Sequence, residues 1–135
     1  MKIIIYTDGA SRGNPGHASY GFSITDEKGR ILYEEGKYIG IATNNFAEYS
    51  AVLGAMEHIR ENFKKDVEVK FFMDSKLVAE QLSGRYKIKS PNLIELIYKI
   101  KDLQEGIDKI TYTHVPRELN KVADALANQA LDSSL

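Results

Sequence analysis

Four acidic residues in this chain stand where α/β proteins concentrate their chemistry. Asp8 ends a first β-branched run, Lys2–Thr7, and Asp74 follows a later one, Asp66–Met73. Glu48 and Asp124 fall in the opening turns of two helical stripes. Singly, each has an ordinary explanation, since Asp-Gly makes turns, Asp caps helices, and acids complement a helix N-terminus. Jointly they mean more. Parallel strands deliver their C-terminal ends to one edge of a sheet, and the helix N-termini that follow lie at the same edge. Four carboxylates converging there would repel one another severely without a cation. Oxygen-only ligation without histidine or thiolate suits hard ions, Mg2+ or Mn2+, which characteristically bridge phosphate oxygens. Two such ions about 4 Å apart can activate a water and stabilise the leaving oxygen of an in-line displacement.

The elements that must position these acids can be read from the pattern. Lys2–Thr7 reads as a strand and Asp8–His17, with three glycines, Asn14 and Pro15, as a loop. Ser19–Thr25 and Ile31–Ile39 alternate like a hairpin around Asp26-Glu27-Lys28-Gly29-Arg30. The period then changes. Ala47, Ala51, Val52, Ala55, Met56 and Ile59 recur at helical spacing, with Thr43 and Asn44 or Asn45 as N-caps. Asp66–Met73 has the apolar run of a central strand, and Asp74-Ser75 can cap a helix over Lys76–Ser83 that stops at Gly84. Ser90-Pro91 opens another helix, with Leu93, Ile94, Ile97 and Ile100 on one side. Ile110–Val115 is a fifth strand, and Asn120 can cap a last helix through Leu131. The order β-β-β-α-β-α-α-β-α predicts one mixed five-stranded sheet with helices on both faces, and one domain over residues 1–135.

Composition narrows the setting. At 135 residues, with 43% hydrophobic and 27% charged residues, the chain matches an ordinary globular domain. It has no cysteine, so disulfides and thiolate zinc sites are excluded. No apolar stretch is long enough to span a bilayer, and with strand-like sequence from Lys2 no signal peptide is expected. A cytosolic monomer with no obligate protein partner is expected. Net charge is −1, yet residues 60–101 carry ten basic against six acidic side chains. Arg85, Lys87 and Lys89 stand there at every second position, as a solvated face or a nucleic-acid contact.

Several motifs carry a resemblance over essentially the whole chain, in order. Tyr6-Thr7-Asp8-Gly9-Ala10-Ser11, Gly13-Asn14-Pro15-Gly16, Thr43-Asn44-Asn45-Phe46-Ala47-Glu48 and Met73-Asp74-Ser75 are four of them. The fifth is Val115-Pro116-Arg117-Glu118-Leu119-Asn120-Lys121-Val122-Ala123-Asp124. The ordered set resembles type 1 ribonuclease H. That resemblance implies the ribonuclease-H-like fold and an endonuclease that cuts the RNA strand of an RNA–DNA hybrid. It implies two divalent ions and products with 3′-hydroxyl and 5′-phosphate ends. Double-stranded RNA is a further expected partner, and the sequence leaves open whether it is cut. Asp8, Glu48, Asp74 and Asp124 would bind the metal, Asp8 bridging both ions. Glu48 would also contact a ribose 2′-hydroxyl, the feature that separates RNA from DNA.

The remaining expectations concern substrate. Gly9, Gly13 and Gly16 would serve loop geometry or let the backbone approach a minor groove, and Ser11 shares their motif. The resemblance places Asn14 and Asn45 in that groove. Thr43 and Asn44 precede a helix N-terminus, where a phosphate of the DNA strand or simple capping would occupy them. Arg117 is expected in the role of a mobile histidine in relatives, with His114 second, and a salt bridge from Arg117 is the competing explanation. Asn120 would cap the last helix or orient a ligand. Lys76 would contact phosphate or offset the acids. Several relatives insert a basic, tryptophan-containing protrusion that this chain lacks, so Arg85, Lys87 and Lys89 would substitute for it. A separate N-terminal hybrid-binding domain is likewise not expected. Two alternatives stay open: a DNA-cutting enzyme of the same broad fold, and a silent module that binds nucleic acid or protein without turnover.

Overall fold

In the computed structural model the described residues are 1–64, 66–85, 87 and 90–134. The first three strands form a meander, β1 (Lys2–Gly13), β2 (Gly16–Asp26) and β3 (Ile31–Ala42). They are followed by α1 (Asn44–Asn62), β4 (Glu68–Met73), α2 (Lys76–Leu82), α3 (Pro91–Gln104), β5 (Lys109–His114) and α4 (Lys121–Ser134). A short 3-10 helix, Arg117–Leu119, precedes α4. The sheet order is β3-β2-β1-β4-β5, antiparallel within the meander and parallel between β1, β4 and β5. This is the predicted mixed sheet and element order. Among the described residues no helix is long and apolar enough to cross a membrane.

One expected boundary is corrected. Asp8–His17 is not a loop, because β1 continues to Gly13 and β2 starts at Gly16, leaving Asn14-Pro15 as the turn. The parallel pairing of β1 with β4 ends at Thr7↔Met73, while its antiparallel pairing with β2 runs on to Gly13↔Gly16. Glycine, Asn and Pro make the segment look irregular in sequence. Ladder bonds to β2 override that local preference. Asp8 therefore stands inside β1, at the point where its parallel neighbour stops.

The two faces of the sheet carry different helices. Ile3, Ile5, Phe22 and Ile24 are fully buried and share the main core with Val52, Met56 and Ile59 of α1. α4 lies on the opposite face, across a row formed by the register pairs Asp8↔Gly21 and Gly21↔Gly36. A methyl group on Gly21 would sit 2.5 Å from the Ala123 carbonyl oxygen and 2.6 Å from the Ala127 nitrogen. Only glycine lets the helix backbone come this close. The Asp8 side of β1 thus faces α4, and the Gly9 side faces α1.

Candidate active site

Each acidic residue is set by its own piece of local structure. Thr43 caps α1 by accepting the Phe46 N–H at 3.1 Å, which places Glu48 in the second turn. Ser75 caps α2 by accepting the Val78 N–H at 3.3 Å, so the neighbouring Asp74 carboxylate is not consumed as a cap. The Tyr49 hydroxyl donates to Gln81 Oε1 in the interior and links α1, beside Glu48, to α2, beyond Asp74. The Asp124 N–H closes the first turn of α4 on the Asn120 carbonyl at 3.1 Å.

The four acids line one cleft of about 560 Å³ with Gly9, Ala10, Ser11, Asn44, Asn45, Ser75, Arg117 and Asn128. Asp8, Glu48 and Asp74 each offer an oxygen, and these lie within 4.8 Å of one another. Asp124 is not part of that triple, but its carboxyl neighbours Asp8 and helps to raise it. Asp8 is therefore common to a group of three on one side and a pair on the other.

Electrostatics follow from this crowding. Asp8 is 5% exposed, and burial first, then the charge of Asp74, pushes its carboxyl up to about 8. Burial and then Asp8 raise Glu48 well above the usual carboxylate range, while the Gly9 backbone hydrogen bond pulls it down. Glu48 Oε2 is enclosed and has no hydrogen-bond partner among the described residues. An orphaned carboxylate oxygen beside two further carboxylates is expensive unless a proton or cation compensates it. The residues fit a hard divalent cation, with Asp8, Glu48 and Asp74 as the group able to hold it.

The other expected residues separate into those the cleft gathers and those it does not. Asn44 and Asn45 line it and also line an adjacent groove of about 950 Å³ with Asn14, Thr43, Ser90 and Pro91. Asn14 Oδ1 accepts the Asn44 N–H at 3.1 Å, so the hairpin beyond Gly13 is pinned to the start of α1. Ser11 lines the cleft and donates to the Ala42 carbonyl at 3.0 Å and to that of Gly13. Arg117 is in the cleft wall, and no carboxylate pairs with it among the described residues. His114 is exposed at the end of β5, outside that wall. Asn120 is 1% exposed and turns inward, donating to the Thr7 carbonyl at 2.9 Å, so it braces the site from beneath. Lys76 and Lys87 are exposed outside the cleft, and Arg85 pairs with Glu80 at 3.0 Å. Lys89 lies outside the described residues. Asn128 was not anticipated; its signal is an amide four residues beyond Asp124 on the same face of a helix.

Comparison with known proteins agrees with this architecture. A family model described as "Reverse transcriptase-like" matches residues 6–130. The chain is 43% identical over 133 residues to Ribonuclease HI of Halobacterium salinarum, covering 98% of this chain and 66% of that protein. It is 42% identical over 135 residues to the bifunctional protein Rv2228c of Mycobacterium tuberculosis, covering 99% of this chain and 36% of that one. The chain thus spans about a third of the length of its mycobacterial relatives. The crystal structure of LC11-RNase H1, isolated from compost and solved with an RNA/DNA hybrid, superposes with a TM-score of 0.93. Identity there is 47%, over 98% of both chains. With the 3-2-1-4-5 sheet, an acidic cleft and identity of this extent, the chain belongs to the ribonuclease H family, in its compact type 1 branch.

Proposed function

We propose that this chain is an endonuclease that hydrolyses the RNA strand of RNA–DNA hybrids, leaving 3′-hydroxyl and 5′-phosphate ends. The observation that carries this reading is the position of Asp8, shared between the Glu48–Asp74 group and Asp124 at the floor of an open cleft. Likeness to LC11-RNase H1, which was crystallised with such a hybrid, supports the substrate class. Residues 1–135 are read as a single ribonuclease H domain.

Asp8, Glu48, Asp74 and Asp124 are proposed to hold two divalent ions, Mg2+ or Mn2+, with Asp8 contributing to both. When bound, such ions lower the pKa of a nucleophilic water and stabilise the leaving oxygen. The protein's part is to hold the scissile phosphate over these carboxylates. Glu48, which lines the cleft with Asn44 and Asn45, is proposed to contact a ribose 2′-hydroxyl. Asn14, Asn44, Asn45 and Thr43 form a continuous polar edge from cleft to groove, suited to the backbones of a duplex. Ser11 and the backbone at Gly9 and Gly13 extend that edge along β1. Arg117 supplies a fixed positive charge in the cleft wall for a phosphate. Lys76, Arg85, Lys87 and Lys89 are proposed as outer electrostatic contacts. Double-stranded RNA shares the 2′-hydroxyl and is proposed as a weaker substrate.

The test incubates end-labelled RNA–DNA hybrid, duplex DNA and duplex RNA with Mg2+, Mn2+ or chelator, using wild type and Asp8→Asn. Metal-dependent cutting of hybrid RNA by wild type alone is expected. Cutting of duplex DNA in preference would support the DNA-cutting alternative. Binding without turnover under any ion would leave only the silent-module reading.

A further inference from the structure

Asn128 stands one helical turn beyond Asp124 and lines the same cleft. Its Nδ2 donates to the Asp124 carbonyl oxygen at 2.9 Å and to the Asp124 carboxylate Oδ1 at 3.2 Å. We propose that Asn128 is a positioning residue that presets the Asp124 carboxylate for a divalent cation. This rests on the reading of Asp124 as a ligand.

The geometry of β1 against α4 explains why the amide turns this way. Asp8, Ala10 and Arg12 occupy the α4 side of β1, since their partners Gly21 and Ser19 touch α4 at Ala123 and Ala127. Two strand residues advance about 6.6 Å and four helix residues about 6 Å, so the two elements stay in step. Asp8 meets Asp124, and Arg12 forms an ion pair with Asp132. Asn128 falls between them, opposite Ala10, whose methyl group offers no hydrogen-bond partner. Its amide accordingly bonds back along the helix to Asp124 instead of across to the strand.

An amide suits this task better than a cation would. Hydrogen bonding from Nδ2 fixes the Asp124 rotamer and occupies one lone pair of Oδ1, and the carboxylate keeps its full negative charge. A lysine or arginine here would compete with the ion for that charge. Groups that hydrogen-bond a metal ligand from behind contribute about 10–100-fold in metal affinity or activity.

The experiment is calorimetric titration of Mn2+ into the metal-free protein, with hybrid cleavage measured against Mn2+ concentration in parallel. The proteins are wild type, Asn128→Leu, Asn128→Ala, Asn128→Gln and Asp124→Asn. Asn128→Leu keeps the shape and Asn128→Ala the helix, and both remove the donor. Either should weaken Mn2+ binding about tenfold and move the activation curve to higher Mn2+ by a similar factor. Asn128→Gln, which retains an amide at the same helical spacing, should recover most of both. Asn128→Ala with unchanged Mn2+ affinity and activation would overturn the inference, as would a Gln variant as defective as Ala. Asp124→Asn separates the two levels: if it binds Mn2+ like wild type, the ligand assignment fails as well. If it alone is weakened, the ligand assignment stands and the role of Asn128 fails.

Discussion

Asn120 donates its side-chain amide to the carbonyl oxygen of Thr7 at 2.9 Å, joining the start of α4 to the strand residue just before Asp8. Both residues are almost fully buried. The bond therefore sets the distance between the two elements that carry Asp8 and Asp124, from inside the protein. In Asn120→Ala, the Thr7 carbonyl loses this donor where water does not replace it. The expected cost is about 1–3 kcal/mol of stability, with a larger relative loss of activity. Denaturant unfolding of the metal-free protein and turnover at saturating Mg2+ check this. Full stability with weakened hybrid binding would instead return Asn120 to a direct substrate role.

Gly9 is constrained by space alone, since no unusual backbone angle is involved. A Cβ there would overlap the backbone of Ala47 and Glu48. Gly9→Ala must push α1 away from β1 and carry Glu48 away from Asp8. Overpacking of this kind costs about 1–3 kcal/mol. Activity should fall further than stability, because the displaced group is a proposed ligand. Thermal unfolding alongside hybrid cleavage would reveal it, and wild-type turnover would show that α1 yields without disturbing the site.

How far these relationships were legible in the sequence depends on their range. The order of elements, the α1 stripe and the four acids were readable because periodicity and strand-to-helix junctions are local signals. The continuation of β1 through Gly13 was not, because its ladder partner lies in β2 and the local composition favours a turn. No local pattern marks Gly21 and Gly36, because what requires glycine there is the α4 backbone lying against them. Asn120 read as a cap or as a residue that orients a ligand, and only the long-range bond to Thr7 shows which way its side chain points.

The raised Asp8 carboxyl makes the metal-free protein sensitive to pH. A carboxyl that ionises near 3.8 unfolded but near 8 in the native state binds its proton more tightly when folded. Metal-free stability must then fall as pH rises through that window, and Glu48 adds to the same trend. Asp8→Asn should flatten the slope and raise the melting temperature at pH 8. Saturating Mn2+ should flatten it in wild type, because a bound cation stabilises the ionised carboxylates. Melting curves from pH 4 to 8, with chelator and with Mn2+, provide the test; metal-free stability that rises across the window would contradict the crowding argument.

Arg117 and His114 were both expected to assist turnover, and the structure separates them. Arg117 is in the cleft wall with the four acids, whereas His114 is exposed at the end of β5. A hydrogen bond to a charged group contributes about 1.5–3 kcal/mol. Loss of such a contact to the reacting phosphate would slow turnover about tenfold to a hundredfold. Arg117→Ala should therefore lower kcat with little change in KM, the pattern of an interaction made mainly in the transition state. Arg117→Lys should recover only part, because a point charge cannot reproduce the planar guanidinium fork. His114→Ala should cost far less. Steady-state kinetics on a hybrid of fixed sequence decide between the two. If His114→Ala proves the more damaging, the role in assisting turnover moves to His114, and the β5 end must approach the cleft when substrate binds.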